Sequence, residues 1–378
     1  MLTLKRVESK QDWNDFIDLP WDIYGDNPVW VPPLKIAVRD ILSVEKNPFF
    51  KHAIMYPVIA YQNGKRVGRI VGVVDEHHNH FHKEQTGFFG FFECIDDQKI
   101  AHALLDEVTQ WVKARGMNML RGPMNPSTNH ECGLLVEGFE HSPAIMMTYN
   151  PPYYGKLLES WGLGKSKDLF AYDIDGRTAR FAERLMAQSE RLKQRSDIVL
   201  REINMRDFEG EIERVLEIYN DAWEQNWGFV PMTPEEFRHM AKDLKAVLDP
   251  RLLLIAEIRG EPVAFALTLP DVNQAIAKVR DGKLFPTGLL KLLWYTKGPG
   301  KKVINRCRIL TLGIKKAYRN HALGPLLYTE YFKRGPGNGY PVGEASWILD
   351  DNKAMNKALE LMDGKRNKVY RIYDRALN

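Results

Sequence analysis

Three cysteines in 378 residues, Cys94, Cys132 and Cys307, are too few and too far apart for a disulfide framework or for zinc-ligand spacing. No apolar run approaches the ~20 residues that cross a bilayer. The opening stretch MLTLKRVESKQDWNDF has no apolar core of the kind a secretion signal carries. These absences set the expectation of a soluble chain in a reducing cytoplasm with no membrane partner. Charge of one sign is also scarce: 53 Lys+Arg against 49 Asp+Glu leaves +4, too little to argue for nucleic acid. One stretch has metal-like composition, Asp75-Glu76-His77-His78-Asn79-His80-Phe81-His82. On a strand His78, His80 and His82 would share a face, but with no distant ligands to complete a site the reading is a solvated loop and no metal.

What is present argues for folded domains. A hydrophobic content of 44% with 11% aromatics supplies buried cores, and 378 residues suggest two of them. Strand character at 2–7 is followed by helix-start chemistry from Ser9 to Ile17. Next comes a Trp- and Pro-bearing loop from Pro20 to Pro33, then a second helical pattern at Leu34–Leu42. Asn63-Gly64 between Met55–Gln62 and Arg66–Asp75 is a hairpin signal. Gly87–Glu93 reads as a buried strand and Asp97–Arg115 as an amphipathic helix. A short helix at 155–161 and a strand at 169–174 complete the first half. After a charged helix from Thr178 to Lys193 the order begins again: strand 199–203, helices 208–223 and 234–247, hairpin 252–269. A local echo accompanies it, with Trp21 and Asn27–Pro32 matched by Trp223 and Asn226–Pro231. The expected organisation is 1–175, a connecting helix at 176–197, and 198–378. Residues 271–305 are an insertion peculiar to the second copy, read as a surface helix flanked by loops or as a wall beside the substrate mouth.

The second copy continues with RILTLGIKKAYRNHALGPLLYTEY, residues 308–331: an apolar strand, a basic turn and a helix start. Arg319-Asn320-His321-Ala322-Leu323-Gly324 places small residues where backbone N–H groups would approach an anion, with the helix dipole behind them. R-x-x-A-x-G after an apolar strand resembles the pyrophosphate loop of the GNAT acyl-CoA N-acyltransferase superfamily, with Ala322 where glycine is commoner. The segments TGFFGFFE, RGPMNPSTN, YNPPYY and Tyr370-Arg371-Ile372-Tyr373 together resemble a bacterial family of two-domain GNAT-like proteins of generally unassigned substrate. The fold so implied is α/β: tandem GNAT-like domains, each a mixed, mostly antiparallel sheet flanked by helices. In the first copy the equivalent loop reads Glu93-Cys94-Ile95-Asp96-Asp97-Gln98, with three acids and no glycine, so a pyrophosphate is repelled there.

The resemblance implies acetyl-CoA or another acyl-CoA as co-substrate, bound by Leu312, Ile314, Arg319, Asn320, His321, Ala322, Leu323, Gly324 and the helix-start Asn352, itself an ordinary N-cap type. It also implies a backbone N–H at the bulged end of the 310–314 strand as oxyanion donor. Many members carry a general-acid Tyr midway along the final helix; that place is Leu359 here, leaving Tyr370 and Tyr373 as substitutes. Glu344, at the expected strand splay, is the candidate base or amine anchor, or a structural ion-pair partner. Asn125, Asn129, Glu131 and Tyr149 are candidate acceptor-binding residues or parts of tight turns. The expected activity is N-acylation of a small-molecule or peptide amine, with a non-catalytic CoA-ester-binding sensor as the rival; oligomeric state is open. Aminoacyl-tRNA-dependent transferases also pair two such domains, but the near-neutral charge gives no RNA signal.

Overall fold

The computed structural model describes residues 1–178, 183–194, 197–224 and 226–377. After strand β1 (Leu2–Arg6), Ser9 and Asp12 form a reciprocal capping box that starts helix α1 (Lys10–Tyr24). The helix runs past the expected stop at Ile17 and through Pro20. Its buried side, Phe16, Ile17, Leu19 and Tyr24, outweighs what one proline costs, and Gly25 at φ 52° ends it. Helix α2 (Lys35–Ile41) precedes the hairpin β2 (Ala53–Gln62) and β3 (Lys65–Asp75). Asn63 and Gly64 both have positive φ, 52° and 77°, as a type I′ turn requires.

The histidine-rich stretch is neither loop nor strand. It forms helix α3 (Glu76–His82), whose first N–H groups are accepted by the Asp75 carboxylate from His77 and His78. His78 is buried against Phe88 at 4.7 Å between ring centroids, and burial pushes its imidazole down to about 4. No group of three or more metal-binding side chains occurs among the described residues.

Strand β4 (Thr86–Cys94) and helix α4 (Gln98–Lys113) follow; α4 buries Ile100, Leu104, Leu105, Val108 and Val112, the stripe its periodicity demanded. Then come β5 (Met119–Gly122), β6 (Met124–Asn125), β7 (Glu131–Cys132), β8 (Leu134–Glu137), α5 (Tyr154–Ser160) and β9 (Gly164–Asp175).

The expected connecting helix is described as α6 (Glu183–Lys193); residues 179–182 and 195–196 lie outside the described residues. The second copy comprises β10 (Ile198–Glu202), α7 (Phe208–Trp223), α8 (Pro234–Lys245), β11 (Leu253–Ile258) and β12 (Glu261–Pro270). The insertion forms α9 (Asn273–Ile276) and α10 (Gly288–Thr296). Strand β13 (Arg306–Ile314), α11 (Leu323–Gly337), β14 (Val342–Leu349), α12 (Lys353–Leu361) and β15 (Lys365–Ala376) complete the chain. Among the described residues no helix is long and apolar enough to cross a membrane.

Two compact units emerge, and they cut across the chain order. The first is Met1–Leu169 with Ile276–Lys291 and Lys368–Asn378; the second is Phe170–Ala275 with Leu292–Asn367. In the first, strands run β1-β2-β3-β4-β5-β15, with β8 also on β15. The last strand belongs there because Tyr373–Ala376 pair antiparallel with Met119–Gly122. Residues 276–291 of the insertion belong there too. The Trp21 indole donates to the Arg280 carbonyl at 2.7 Å, and the Arg280 guanidinium donates to the Trp30 carbonyl at 2.8 Å. The aromatic, proline-bearing loop is thus ordered around one arginine. In the second unit the order is β9-β14-β13-β12-β11-β10. Both units are mixed, mostly antiparallel sheets, with parallel pairing at β4–β5 in one and β13–β14 in the other.

Candidate functional site

The second unit holds a forked pair of strands. β13 and β14 pair in parallel from Arg306↔Val342 to Ile309↔Ala345, where the ladder ends. At that point β13 carries an extra residue against β12: Leu267 faces Thr311 and Thr268 faces Ile309, so Leu310 is bulged. A bulge at the fork turns backbone groups away from the ladder just where the strands part. The bulge was expected at this strand; its residue was not legible.

Beyond Ile314 the chain makes a 3-10 turn, Lys316–His321. Ala322 follows at φ 54°, ψ 26°, as N-cap of α11, and its end of the helix has no side-chain cap. The left-handed conformation at Ala322 explains why glycine suits this place, and alanine there costs about 1 kcal/mol. The first-turn N–H groups of Leu323 and Gly324 therefore have no side-chain cap, while Pro325 brings no N–H. A Cβ added at Gly324 would meet Tyr328 Cε2 at 3.7 Å and Ile314 Cδ1 at 3.8 Å, ordinary contacts. The protein's own packing does not require glycine there. By contrast a Cβ at Gly313 would strike Trp223 at 2.4 Å, so that glycine is explained by packing.

The expected surplus of positive charge at the loop is largely spent. Lys315 pairs with Glu217 at 2.7 Å and Glu261 at 3.1 Å, Lys316 pairs with Glu224, and Arg319 donates to the Ala222 carbonyl at 2.8 Å. An anion at this loop would meet backbone N–H groups and the helix end more than side-chain charge. Asn320 is exposed. His321 Nδ1 is buried with no hydrogen-bond partner, and so is Thr311 Oγ1 on β13 beyond the fork. Unsatisfied buried polar atoms call for a partner, and both lie on the elements that form the cradle. Leu312 and Ile314 stand on β13 opposite Ala266 and Ala264. Asn352 is the N-cap of α12, accepting from the Met355 N–H at 3.1 Å.

Glu344 is buried on β14, 1% exposed, in register with Arg308 on β13 one step before the fork. Arg308 is buried too, and its guanidinium donates to the Ser346 carbonyl at 3.0 Å. Leu359 packs with Tyr172, Ile174, Phe332 and Met362. Two tyrosines that sequence reasoning missed lie close to these elements. The Tyr172 hydroxyl donates to Asn356 Oδ1 at 3.0 Å. Tyr328, one turn along α11 from Gly324, rests its hydroxyl on the Met355 thioether at 3.0 Å. Burial raises the Tyr328 phenol above its ordinary value, so it stays neutral with a weak acceptor as partner. The spacing Gly324–Tyr328, one helical turn, was the available signal for it.

The remaining candidates lie in the first unit. Tyr370 and Tyr373 lie on the part of β15 that belongs to the first unit. Both are buried, and the Tyr373 hydroxyl donates to Glu159 at 3.0 Å. Asn125, Asn129, Glu131 and Tyr149 are also in the first unit. Asn125 pairs with Glu131 across β6–β7, the Asn129 N–H donates to Ser127 Oγ at 3.2 Å, and the Tyr149 hydroxyl donates to the Phe139 carbonyl at 3.0 Å.

The first unit repeats the fork and fills it. β4 and β5 pair in parallel only from Thr86 to Phe88 on β4, and β4 then gains an extra residue near Phe91, whose φ is 49°. The Phe91 N–H that the bulge turns outward donates to Asn125 Oδ1 at 2.6 Å. A Cβ at Gly90 would lie 1.6 Å from the Met124 carbonyl oxygen, so β6 occupies the space beside β4. The helix end is closed as well, because Asp97 accepts from the N–H groups of Lys99 and Ile100. Glu93 is held by Tyr154 at 2.7 Å and Tyr24 at 3.0 Å, with Arg69 alongside. Burial pushes its carboxyl above the ordinary value against the opposing pull of Arg69. The absence of glycine and the run of acids thus mark a self-plugged site.

None of the three cysteines forms a disulfide and all are buried; burial pushes the Cys94 and Cys307 thiols up to about 12, which suits neither to nucleophilic attack.

No family model matches the chain. Among curated proteins it is 37% identical over 387 residues to the bacterial ceramide synthase of Caulobacter vibrioides, covering 100% of this chain and 98% of the relative. It is 35% identical over 373 residues to the protein YghO of Escherichia coli, covering 98% and 94%. Among solved structures, a tandem GNAT protein from the clavulanic acid biosynthesis pathway aligns over 100% of this chain and 98% of its own, with TM-score 0.57 at 10% identity. A GCN5-related N-acetyltransferase from Sphaerobacter thermophilus aligns over 99% and 95%, with TM-score 0.52 at 12% identity. The chain thus has a tandem GNAT fold, and by its full-length identity it belongs to the bacterial family that contains the Caulobacter ceramide synthase and YghO.

Proposed function

We propose that the protein transfers an acyl group from a CoA thioester to the amino group of a long-chain amino alcohol, forming an amide. The observation that carries the acyl-CoA part is the fork of β13 and β14 beside an α11 N-terminus that no side chain caps. The same fork in the first unit is filled by its own chain, so the second unit is the assigned cofactor side. The acceptor class follows from the 37% identical relative named a ceramide synthase, since a ceramide is an N-acylated amino alcohol.

The residues fit the cofactor. The N–H groups of Leu323 and Gly324 would hold its pyrophosphate, and the fork would take its extended arm. When bound, it supplies an acyl thioester activated toward amines. A backbone N–H at the Leu310 bulge would stabilise charge developing on an acyl oxygen. Attack forms a C–N bond and breaks the C–S bond; the amine loses a proton and the departing thiolate gains one. We assign the anchoring or deprotonation of the amine to Glu344. Donation to the thiolate goes to Tyr328, which is neutral and weakly partnered.

Thiol release from acyl-CoAs of increasing chain length, with a panel of amines, tests this reading. The expected result is release that depends on a long-chain amino alcohol, with Tyr328→Phe lowering kcat and leaving KM nearly unchanged. The buried Leu359 where a tyrosine is usual favours the second reading, a CoA-ester sensor. Binding without release to any amine would establish that reading.

A further inference from the structure

We propose that α10 and its flanks form a surface-docking element for anionic lipid bilayers. The motivating feature is an apolar face left in solvent. Leu290, Leu293 and Trp294 are 68%, 48% and 54% exposed, and Phe285 just before the helix is 64% exposed. Positions 290, 293 and 294 lie on one stripe of a helix. The six other large hydrophobics of comparable exposure among the described residues are scattered along the chain, as isolated surface apolar residues usually are. Here four fall within ten residues.

Charge selects the occupant. From residue 282 to residue 329 there is no Asp or Glu. Lys283, Lys291, Lys297, Lys301 and Lys302 all fall in residues 282–303, and without them the chain has 48 basic against 49 acidic residues. The net positive charge of the protein is therefore concentrated on the segment that carries the exposed apolar stripe. Lys291 and Lys297 are exposed on the helix and at its end, and Lys301 and Lys302 follow at once. A short helix with leucine and tryptophan on one face, bordered by lysine, matches the interfacial plane of an anionic bilayer: side chains enter the acyl boundary while ammonium groups meet phosphates. A protein partner with an apolar groove would leave this acid-free cationic border unexplained. The proposal rests on this segment alone and stands apart from the acyl-transfer reading.

The test is flotation of the full chain with vesicles of phosphatidylcholine mixed with phosphatidylglycerol, and with phosphatidylcholine alone. The expected result is binding to the mixed vesicles that weakens with salt. Leu293→Glu/Trp294→Glu should reduce it at least about tenfold without lowering the melting temperature, since both side chains are exposed. Lys301→Glu/Lys302→Glu should reduce it by about fivefold per lysine and carries the test if the first variant folds poorly. Failure of the wild type to float with either vesicle, or equal flotation of wild type and variants, would overturn the proposal. So would a concentration-dependent dimer seen by light scattering and abolished by the variants, because a second copy would then be the occupant.

Discussion

Gly324→Ala separates ligand approach from packing. The added methyl would sit 3.7 Å from Tyr328 Cε2 and 3.8 Å from Ile314 Cδ1, so it strains nothing in the protein. Exchanging glycine for alanine within α11 favours the helix by up to about 1 kcal/mol, which is roughly 2–4 °C in melting temperature for a unit of this size. The same methyl stands where a pyrophosphate must approach the backbone. Losing one charge-assisted hydrogen bond there costs about 1.5–3 kcal/mol, or about ten- to a hundredfold in Kd. Calorimetric titration with CoA and long-chain acyl-CoA, beside a scanning calorimetry trace, reads both. A variant as stable as the wild type or more so, with weaker binding, is expected. Unchanged affinity would refute the cradle, because nothing else in the structure requires glycine at that position.

Ala322→Gly should stabilise by about 1 kcal/mol, relieving the left-handed conformation at φ 54° while keeping CoA affinity; denaturant midpoints check it, and a loss of stability would show that the conformation is not strained. Asn125→Ala should cost about 1–3 kcal/mol by orphaning the Phe91 N–H, and Gly90→Ala about 3 kcal/mol or more through collision with the Met124 carbonyl; if urea unfolding shows both to be neutral, the plug is not structural. His78 is held neutral, its value lowered by burial from 6.5 to about 4. The unfolded chain then binds the proton more readily, so this contribution is whole above pH 6.5 and is lost as pH falls toward 4. The loss is about 3 kcal/mol, and His78→Gln should remove that part of the slope in unfolding measured across the range; identical slopes would contradict the assignment.

Local signals carried much of the fold. Asn63-Gly64, the helix-start chemistry at Ser9 and Asp12 and the apolar stripe of α4 are short-range chemistry, and each appears where its residues placed it. The R-x-x-A-x-G turn likewise falls at the start of α11, where no side chain caps the helix. Long-range pairing was not legible. Nothing local tells that β15 joins β5, that residues 276–291 dock on Trp21 through Arg280, or that Met124–Asn125 fill a fork. Those arrangements depend on partners far along the chain. Pro20 and the histidine run misled in a simpler way: propensity argued against helix, and in α1 burial prevailed while at α3 the Asp75 cap was overlooked. Glu344 was placed beside the fork by its strand position, whereas the contact of Tyr328 with Met355 was hidden because it depends on α11 lying beside α12.

The central claim is that the second unit uses its fork to make an amide from an acyl-CoA and a long-chain amino alcohol. Mass spectrometry of the reaction of palmitoyl-CoA with sphinganine, run with the wild type and with Gly324→Trp, tests it most directly. The account predicts N-palmitoyl product with the wild type and its loss in the variant; equal product from both, or palmitoyl-CoA bound and no amide formed, would contradict it.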